Sequence, residues 1–254
     1  MSVPTTIPFP TPPASPGTPP GYSHSVGFAL LPEIVQWTAP AALVLSVILT
    51  FFPWNGIYPG GHGVYTQSAW GSLFGSYSTN PNGDKVLKFD TKDDKGKSLR
   101  DDVHTNWLML LYLPGLLVTA VLAVLFTILP ALKLKLPPPI QAYLPWRMAL
   151  IAALSLLLTG ILCLQSIRGF GLQNAVEAQI DLQFQKDREE AKTGEEIERF
   201  EMRRGAAKES LGLEQTTANR LAILLHFVAI IGAAGTVLMV RRSDKPPPRI
   251  EVMW

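Results

Sequence analysis

Apolar and polar positions segregate along this chain into long blocks. Four blocks, residues 34–52, 107–132, 148–167 and 221–240, hold no Lys, Arg, Asp or Glu. An α-helix rises about 1.5 Å per residue, so about 20 residues cross a hydrocarbon core roughly 30 Å thick. A charged side chain at the bilayer centre costs roughly 2.5–3.5 kcal/mol on insertion scales. The pattern therefore predicts an all-α integral membrane protein with four transmembrane helices, separated by a long loop (53–106), a short connection (133–147) and a second long segment (168–220). The flanks are a tail over 1–33 and a tail over 241–254.

Details inside the blocks fit a lipid environment. Trp37, Trp54, Trp107, Tyr143 and Trp146 fall near block ends, where an amphipathic ring favours the headgroup layer. Pro40 and Pro114 are kink positions, which neighbouring helices make tolerable. Ala229, Gly232, Ala233, Gly235 and Thr236 line the fourth block, and Ala149, Ala152, Ala153, Ser155 and Gly160 line the third. Small residues at such spacing let helix backbones approach closely. Packing within one chain is the expectation, with self-association as the alternative.

The polar segments differ in character. The N-terminal tail is crowded with proline and reads as disordered or polyproline II. Residues 53–83 contain no charged side chain and are rich in glycine and aromatics. Pro59, Gly60, Gly61, His62 and Gly63 make a turn cluster. Thr66 is placed to N-cap a short helix that ends before Gly75, and Asn82-Gly83 predicts a short β-hairpin between 76–79 and 85–89. Trp54, Tyr58, Tyr65, Trp70, Phe74 and Tyr77 form the candidate interaction surface, because aromatics set among Gly, Ser, Thr and Asn make an amphipathic binding face. The competing reading is that they anchor a span end.

Segment 168–220 is densely charged with both signs and predicts an extramembrane helical hairpin between spans 3 and 4. Its arms, 168–192 and 195–220, meet at Thr193-Gly194-Glu195-Glu196, a capping-box pattern. Val176, Ile180 and Phe184 are expected to face Ile197, Phe200, Ala207, Leu211, Ala218 and Leu221, with Arg204 and Glu214 interrupting the seam.

Charge and chemistry narrow the function mainly by exclusion. A formal net charge of +2, with acids and bases mixed, offers no electrostatic case for nucleic acid. The single cysteine, Cys163, closes no intrachain disulfide. Of the four histidines only His226 lies in an apolar block. Ionisable groups within a membrane are functional candidates by default, so His226 and Gln165 are the candidate intramembrane polar site. The imidazole is expected to bond Gln165, Ser166 or a carbonyl. His104 and His226 differ in depth by about 12 Å of helix rise, which disfavours a bis-histidine haem. The acidic run of Asp90, Asp93, Asp94, Asp101 and Asp102 fails as a calcium loop, since Lys95 falls on a ligand position. Nucleotide-binding, serine-hydrolase and metalloprotease fingerprints are absent. No catalytic, cofactor-binding or metal-binding residue is predicted.

The bases of 133–147 and 241–254 lie close to the spans, so the positive-inside bias places both termini in the cytoplasm. In outline the layout resembles tetraspan scaffold proteins, but the cysteine signature of their large outer loops is missing. The expected function is a non-enzymatic scaffold or subunit of a membrane or envelope protein assembly. Its partners would be the lipid bilayer and other membrane proteins or a second copy of itself. The alternative is a transporter or channel subunit with a polar interior around His226.

Overall fold

The computed structural model describes residues 25–29, 32–58, 63–80, 99–132, 144–190, 194–211, 213–241 and 249–253. In chain order these form β1 (Ser25–Ala29), α1 (Pro32–Val35), α2 (Thr38–Leu49), β2 (Pro53–Ile57), β3 (Tyr65–Ser68), α3 (Ala69–Phe74), β4 (Ser78–Thr79) and α4 (Leu99–Asp102). There follow α5 (Trp107–Ala131), a 3-10 turn (Leu144–Trp146), α6 (Arg147–Arg168), α7 (Gly171–Glu190), α8 (Gly194–Ser210), β5 (Leu213–Gln215), α9 (Thr217–Arg241) and β6 (Arg249–Met253). The proline-rich stretch 1–24, His24, His62, the Asn82-Gly83 hairpin, Asp90, Asp93, Asp94 and the Thr193 cap lie outside the described residues.

The structure is mostly helical. Three helical stretches, Trp107–Pro130, Leu144–Leu182 and Thr217–Val240, are long and apolar enough to cross a membrane. Their outward faces carry large apolar side chains such as Leu111 (54% exposed), Val118 (58%), Leu157 (62%) and Ile231 (70%). Contiguous apolar surface of this kind is unfavourable in water and ordinary against lipid.

The first predicted span is not one helix. Residues 34–52 divide between the end of α1, a turn at Gln36 and Trp37, and the 12-residue α2. Pro40 explains the break. It has no N–H for the carbonyl four residues back, and its ring crowds that carbonyl, so it suits the first turn of a helix and not its interior. α2 is about 18 Å long, well short of the hydrocarbon thickness. It ends before Pro53, which biases its predecessor away from helical geometry. Two of the last carbonyls are met from the side: Trp54 Nε1 donates to Leu49 O (2.7 Å) and Thr50 Oγ1 to Val47 O (2.6 Å).

α2 lies against α9 and α5, and α6 packs on both α5 and α9. The α2–α9 approach depends on glycine. A Cβ at Gly232 would stand 2.9 Å from Thr38 Cβ and 3.2 Å from Ala39 N. Ala229 and Ala233 on the same helix are fully buried. That part of the small-residue face is used within the chain. On α6, by contrast, Ser155 is buried while a Cβ at Gly160 would meet nothing within 4 Å among the described residues.

The long segments between the apolar helices hold β structure, so the fold is not purely α. Four antiparallel strands run in the order β4-β3-β2-β5. β2 pairs with β3 (Asn55 opposite Gln67, Ile57 opposite Tyr65) and, on its other edge, with β5 (Asn55 opposite Gln215, Ile57 opposite Leu213). A register shift between Pro53 and Asn55 sets Trp54 apart from the ladder. The predicted helix 66–75 is shorter than expected. Thr66 belongs to β3, and Ser68 is the true cap, its Oγ accepting from Gly71 N at 3.0 Å. Gly75 ends α3 with φ +64°, as its position suggested, and a Cβ there would meet Val103 O at 2.8 Å.

The second long segment completes this sheet. Residues 213–215 were expected to be helical and instead form β5. α7 follows α6 after a break at Gly169, whose φ of +79° only glycine adopts readily. Leu172, Ala175, Val176 and Ile180 of α7 are buried against Ile57, Tyr65, Tyr77 and Val103, with Phe184 and Leu211 at the margin. The apolar seam assigned to helix pairing therefore serves the sheet. α8 instead meets α7 through Arg204, whose Nε donates to Asp181 Oδ1 at 2.8 Å.

β1 and β6 pair antiparallel, with Ser25 opposite Met253 and Ala29 opposite Arg249. Residues 25–29 and 249–253, far apart in sequence, are thereby neighbours.

Candidate functional site

The six aromatics proposed as one surface do not share a role. Trp54 and Tyr65 are completely buried and Tyr77 nearly so. Trp54 sits where sheet and apolar helices join. Its ring stands edge-on to Tyr112 (centroids 5.7 Å) and Phe170 (6.3 Å), and its carbonyl accepts from Thr216 N at 2.9 Å. Tyr65 and Tyr77 pack edge-to-face at 5.8 Å under the sheet. Aromatic pairs of this geometry add about 0.5–1.5 kcal/mol each beyond burial. These three side chains build a core and are not available to a partner. Tyr58 is half-buried, and burial together with the Glu214 carboxylate pushes its phenol above the usual range. Only Phe74 is broadly exposed (69%). It stacks on Trp70 at 6.5 Å, and Phe51 lies 6.0 Å from the same indole. Trp70 Nε1 donates to Thr50 Oγ1 at 3.0 Å, so this small aromatic group is tied to the end of α2.

The predicted polar pair within the apolar helices is also divided. His226 is fully buried, and its Nδ1 lies 2.7 Å from Ala222 O. A carbonyl only accepts, so Nδ1 carries the proton and Nε2 is left as an acceptor. Tyr112 Oη, 3.5 Å from Nε2, faces that acceptor at the long limit of a hydrogen bond. Of the partners considered from sequence, the carbonyl is the one found. Tyr112 was missed because a tyrosine in an apolar block reads as core. Gln165 is fully buried elsewhere, donating through Nε2 to Gly169 O at 2.6 Å, and its Oε1 has no hydrogen-bond partner among the described residues.

A polar ladder beside Gln165 joins the apolar helices to the sheet. Gln215 Nε2 donates to Ser166 O at 2.7 Å, and Asn219 Nδ2 donates to Gln215 Oε1 (3.0 Å) and Ser166 Oγ (3.3 Å). Thr216 Oγ1 donates to Pro53 O. On the far side Gln67 clamps β3 to α7, its Oε1 accepting from Leu172 N (3.1 Å) and its Nε2 donating to Ser76 O (3.1 Å). Sequence reading missed these amides, since the partners that tie them to other elements lie some 50 to 105 residues away.

A cleft with a volume of about 500 Å³ opens at this junction. Its wall includes His104, Asn106 and Trp107 before and at the start of α5, Gln165 and Arg168 at the end of α6, and Asn174 on α7. Asn106 caps α5, its Oδ1 accepting from Leu108 N at 3.0 Å. The Arg168 guanidinium lies over the Trp107 ring, 6.0 Å from its centroid. Among the described residues no cluster of three His, Cys, Asp or Glu side chains is arranged to hold a metal ion.

Comparison with protein-family models, with curated proteins and with solved structures finds no match to this chain.

Proposed function

We propose that this chain is a non-enzymatic polytopic membrane protein, crossing the bilayer four times, that acts as a scaffold or subunit of a membrane protein assembly. The helical pair formed by α7 and α8 is its partner-contacting arm. One observation carries the reading: α8 is exposed at almost every described position, including Ile197 (36%) and Met202 (63%). A 17-residue helix of this kind has little core of its own. Isolated helices near this length are marginal in water, and most helical stability in proteins comes from packing. A partner along α8 supplies the packing that the chain lacks.

The antiparallel pairing of β1 with β6 favours an even number of crossings, with α2 and its flanking turns as the shortest crossing. Bases close to the apolar helices, including Arg147 and Arg241, favour termini in the cytoplasm. The sheet and the α7–α8 arm then lie on the opposite side.

The transporter alternative is weaker on physical grounds. Thr119, Thr159 and Thr236 each donate to the carbonyl four residues back in their own helix, at 2.7, 2.7 and 2.8 Å. The proton of each hydroxyl is thereby committed to its own helix, which leaves only its oxygen lone pairs for a passing solute.

The test is site-specific photocrosslinking in native membranes. A photoreactive side chain at Met202 is expected to give a discrete adduct, and deletion of 185–208 is expected to release the adduct's partner from the purified complex. Absence of any adduct, or retention of the same partner after the deletion, would overturn the proposal.

A further inference from the structure

The cleft at the junction of the apolar helices and the sheet has the placement and chemistry of a lipid site. It opens where α5 begins and α6 ends, so it sits at the edge of the apolar zone. Its rim continues directly into outward-facing apolar side chains: Trp107 (56% exposed), Leu164 (41%) and Ile167 (83%).

Three features bear on what enters it. Arg168 supplies a cation whose only described interaction is with the Trp107 ring face, which leaves its five N–H donors for an incoming anion. A guanidinium recognises phosphate oxygens through paired donors. Acceptors sit in the same cleft. Asp102 takes one bond from Gln179 Nε2 at 3.3 Å and keeps further lone pairs, and Gln165 lines the same cleft with a buried Oε1 that has no donor among the described residues. Finally, the wall is part apolar, with Trp107, Leu108 and Leu182 beside the polar groups.

We propose that this cleft binds the headgroup of a glycerophospholipid whose phosphate pairs with Arg168 and whose ammonium or hydroxyl hydrogen-bond donors meet Asp102 and Gln165, while the acyl chains lie along α5 and α6. The chemistry shared with any soluble ligand is a phosphate ester carrying hydrogen-bond donors. The apolar rim assigns it to a lipid. A choline headgroup has no N–H and leaves those acceptors unmet, so phosphatidylethanolamine binds in preference to phosphatidylcholine of the same acyl chains.

The test uses the full chain in mild detergent, with lipid retention followed by native mass spectrometry. Wild type is expected to retain phosphatidylethanolamine at least about tenfold better than phosphatidylcholine. R168Q should remove most of that retention. R220Q should not, since Arg220 is exposed near the start of α9 and outside the cleft. A178F, which fills the cleft from the exposed face of α7 without altering charge, should act like R168Q and keeps the test decisive if R168Q fails to fold. Equal retention of the two lipids overturns the proposal. So does wild-type retention by both R168Q and A178F, or equal losses in R168Q and R220Q. Competition by soluble glycerophosphoethanolamine at concentrations matching the lipid would overturn the assignment to a membrane lipid.

Discussion

Trp54 is the side chain on which the junction of sheet and apolar helices turns, and replacing it by alanine is the sharpest test of that packing. The substitution empties a completely buried site, removes the edge contacts to Tyr112 and Phe170, and takes the donor from Leu49 O. Truncating a buried Trp to Ala costs about 3–5 kcal/mol through lost transfer energy and the residual cavity. Trp54→Phe keeps most of the ring volume and loses the indole donor, so it should cost nearer 1 kcal/mol. Phe74→Ala, on a ring 69% exposed, is the control. Surface changes of that kind usually stay within about 0.5 kcal/mol. The chain offers its own reporter, since Cys163 is the single thiol and lies half-buried in α6. Thermal unfolding in mild detergent, followed by a thiol-reactive fluorophore, should rank the proteins wild type, F74A, W54F, W54A. W54A should fall by about 6–20 °C on the usual size scaling. If W54A melts within about 2 °C of wild type, or F74A falls as far, Trp54 is not the keystone described.

Three further outcomes follow from separate parts of the structure. Gln67→Ala leaves the buried Leu172 N–H without its acceptor, at a cost of about 1–3 kcal/mol, and hydrogen exchange at that amide should accelerate. Gly232→Val drives a side chain into Thr38, so α2 should separate from α9, with a loss of about 1–3 kcal/mol and faster proteolysis of the segment preceding β2. Glu214→Gln removes the negative charge that helps to raise the Tyr58 phenol, so NMR titration of labelled tyrosine should show Tyr58 ionising at lower pH than in wild type. An unchanged Tyr58 titration would mean that burial alone sets it.

The apolar helices were readable because the bilayer imposes a simple rule: long runs without charge. Trp107–Ala131 and Thr217–Arg241 match the predicted blocks to within a few residues. Pro40 also announced a disturbance, although its strength, enough to divide α1 from α2, depends on where the next turn falls. The sheet was much less legible. β5 is three residues long and pairs with β2 across more than 150 residues of sequence, so no local pattern declares it. The aromatics of 53–83 advertised a surface because glycine and serine surround them. Their burial depends on α7 arriving from the other long segment to cover Tyr65 and Tyr77. Arg204, taken as a flaw in a helical seam, proves to be the residue that ties α8 to α7. The cleft residues fall in two stretches far apart in sequence, 102–108 and 165–182, and only the end of the third apolar run at Ile167 hinted that Arg168 stands at a boundary.

The two long segments fold together into one sheet seated on the apolar helices. The most direct measurement is oxidative crosslinking of paired cysteines, Asn55→Cys with Gln215→Cys, in a Cys163→Ser chain held in native membranes. These positions are direct partners across β2 and β5. Opposed Cα atoms in an antiparallel pair lie about 4.5–5.5 Å apart, within disulfide reach. Rapid crosslinking of this pair is expected, and little for Asn55→Cys with Arg203→Cys on α8. Failure of the first pair to crosslink, or equal rates for both, would contradict that arrangement.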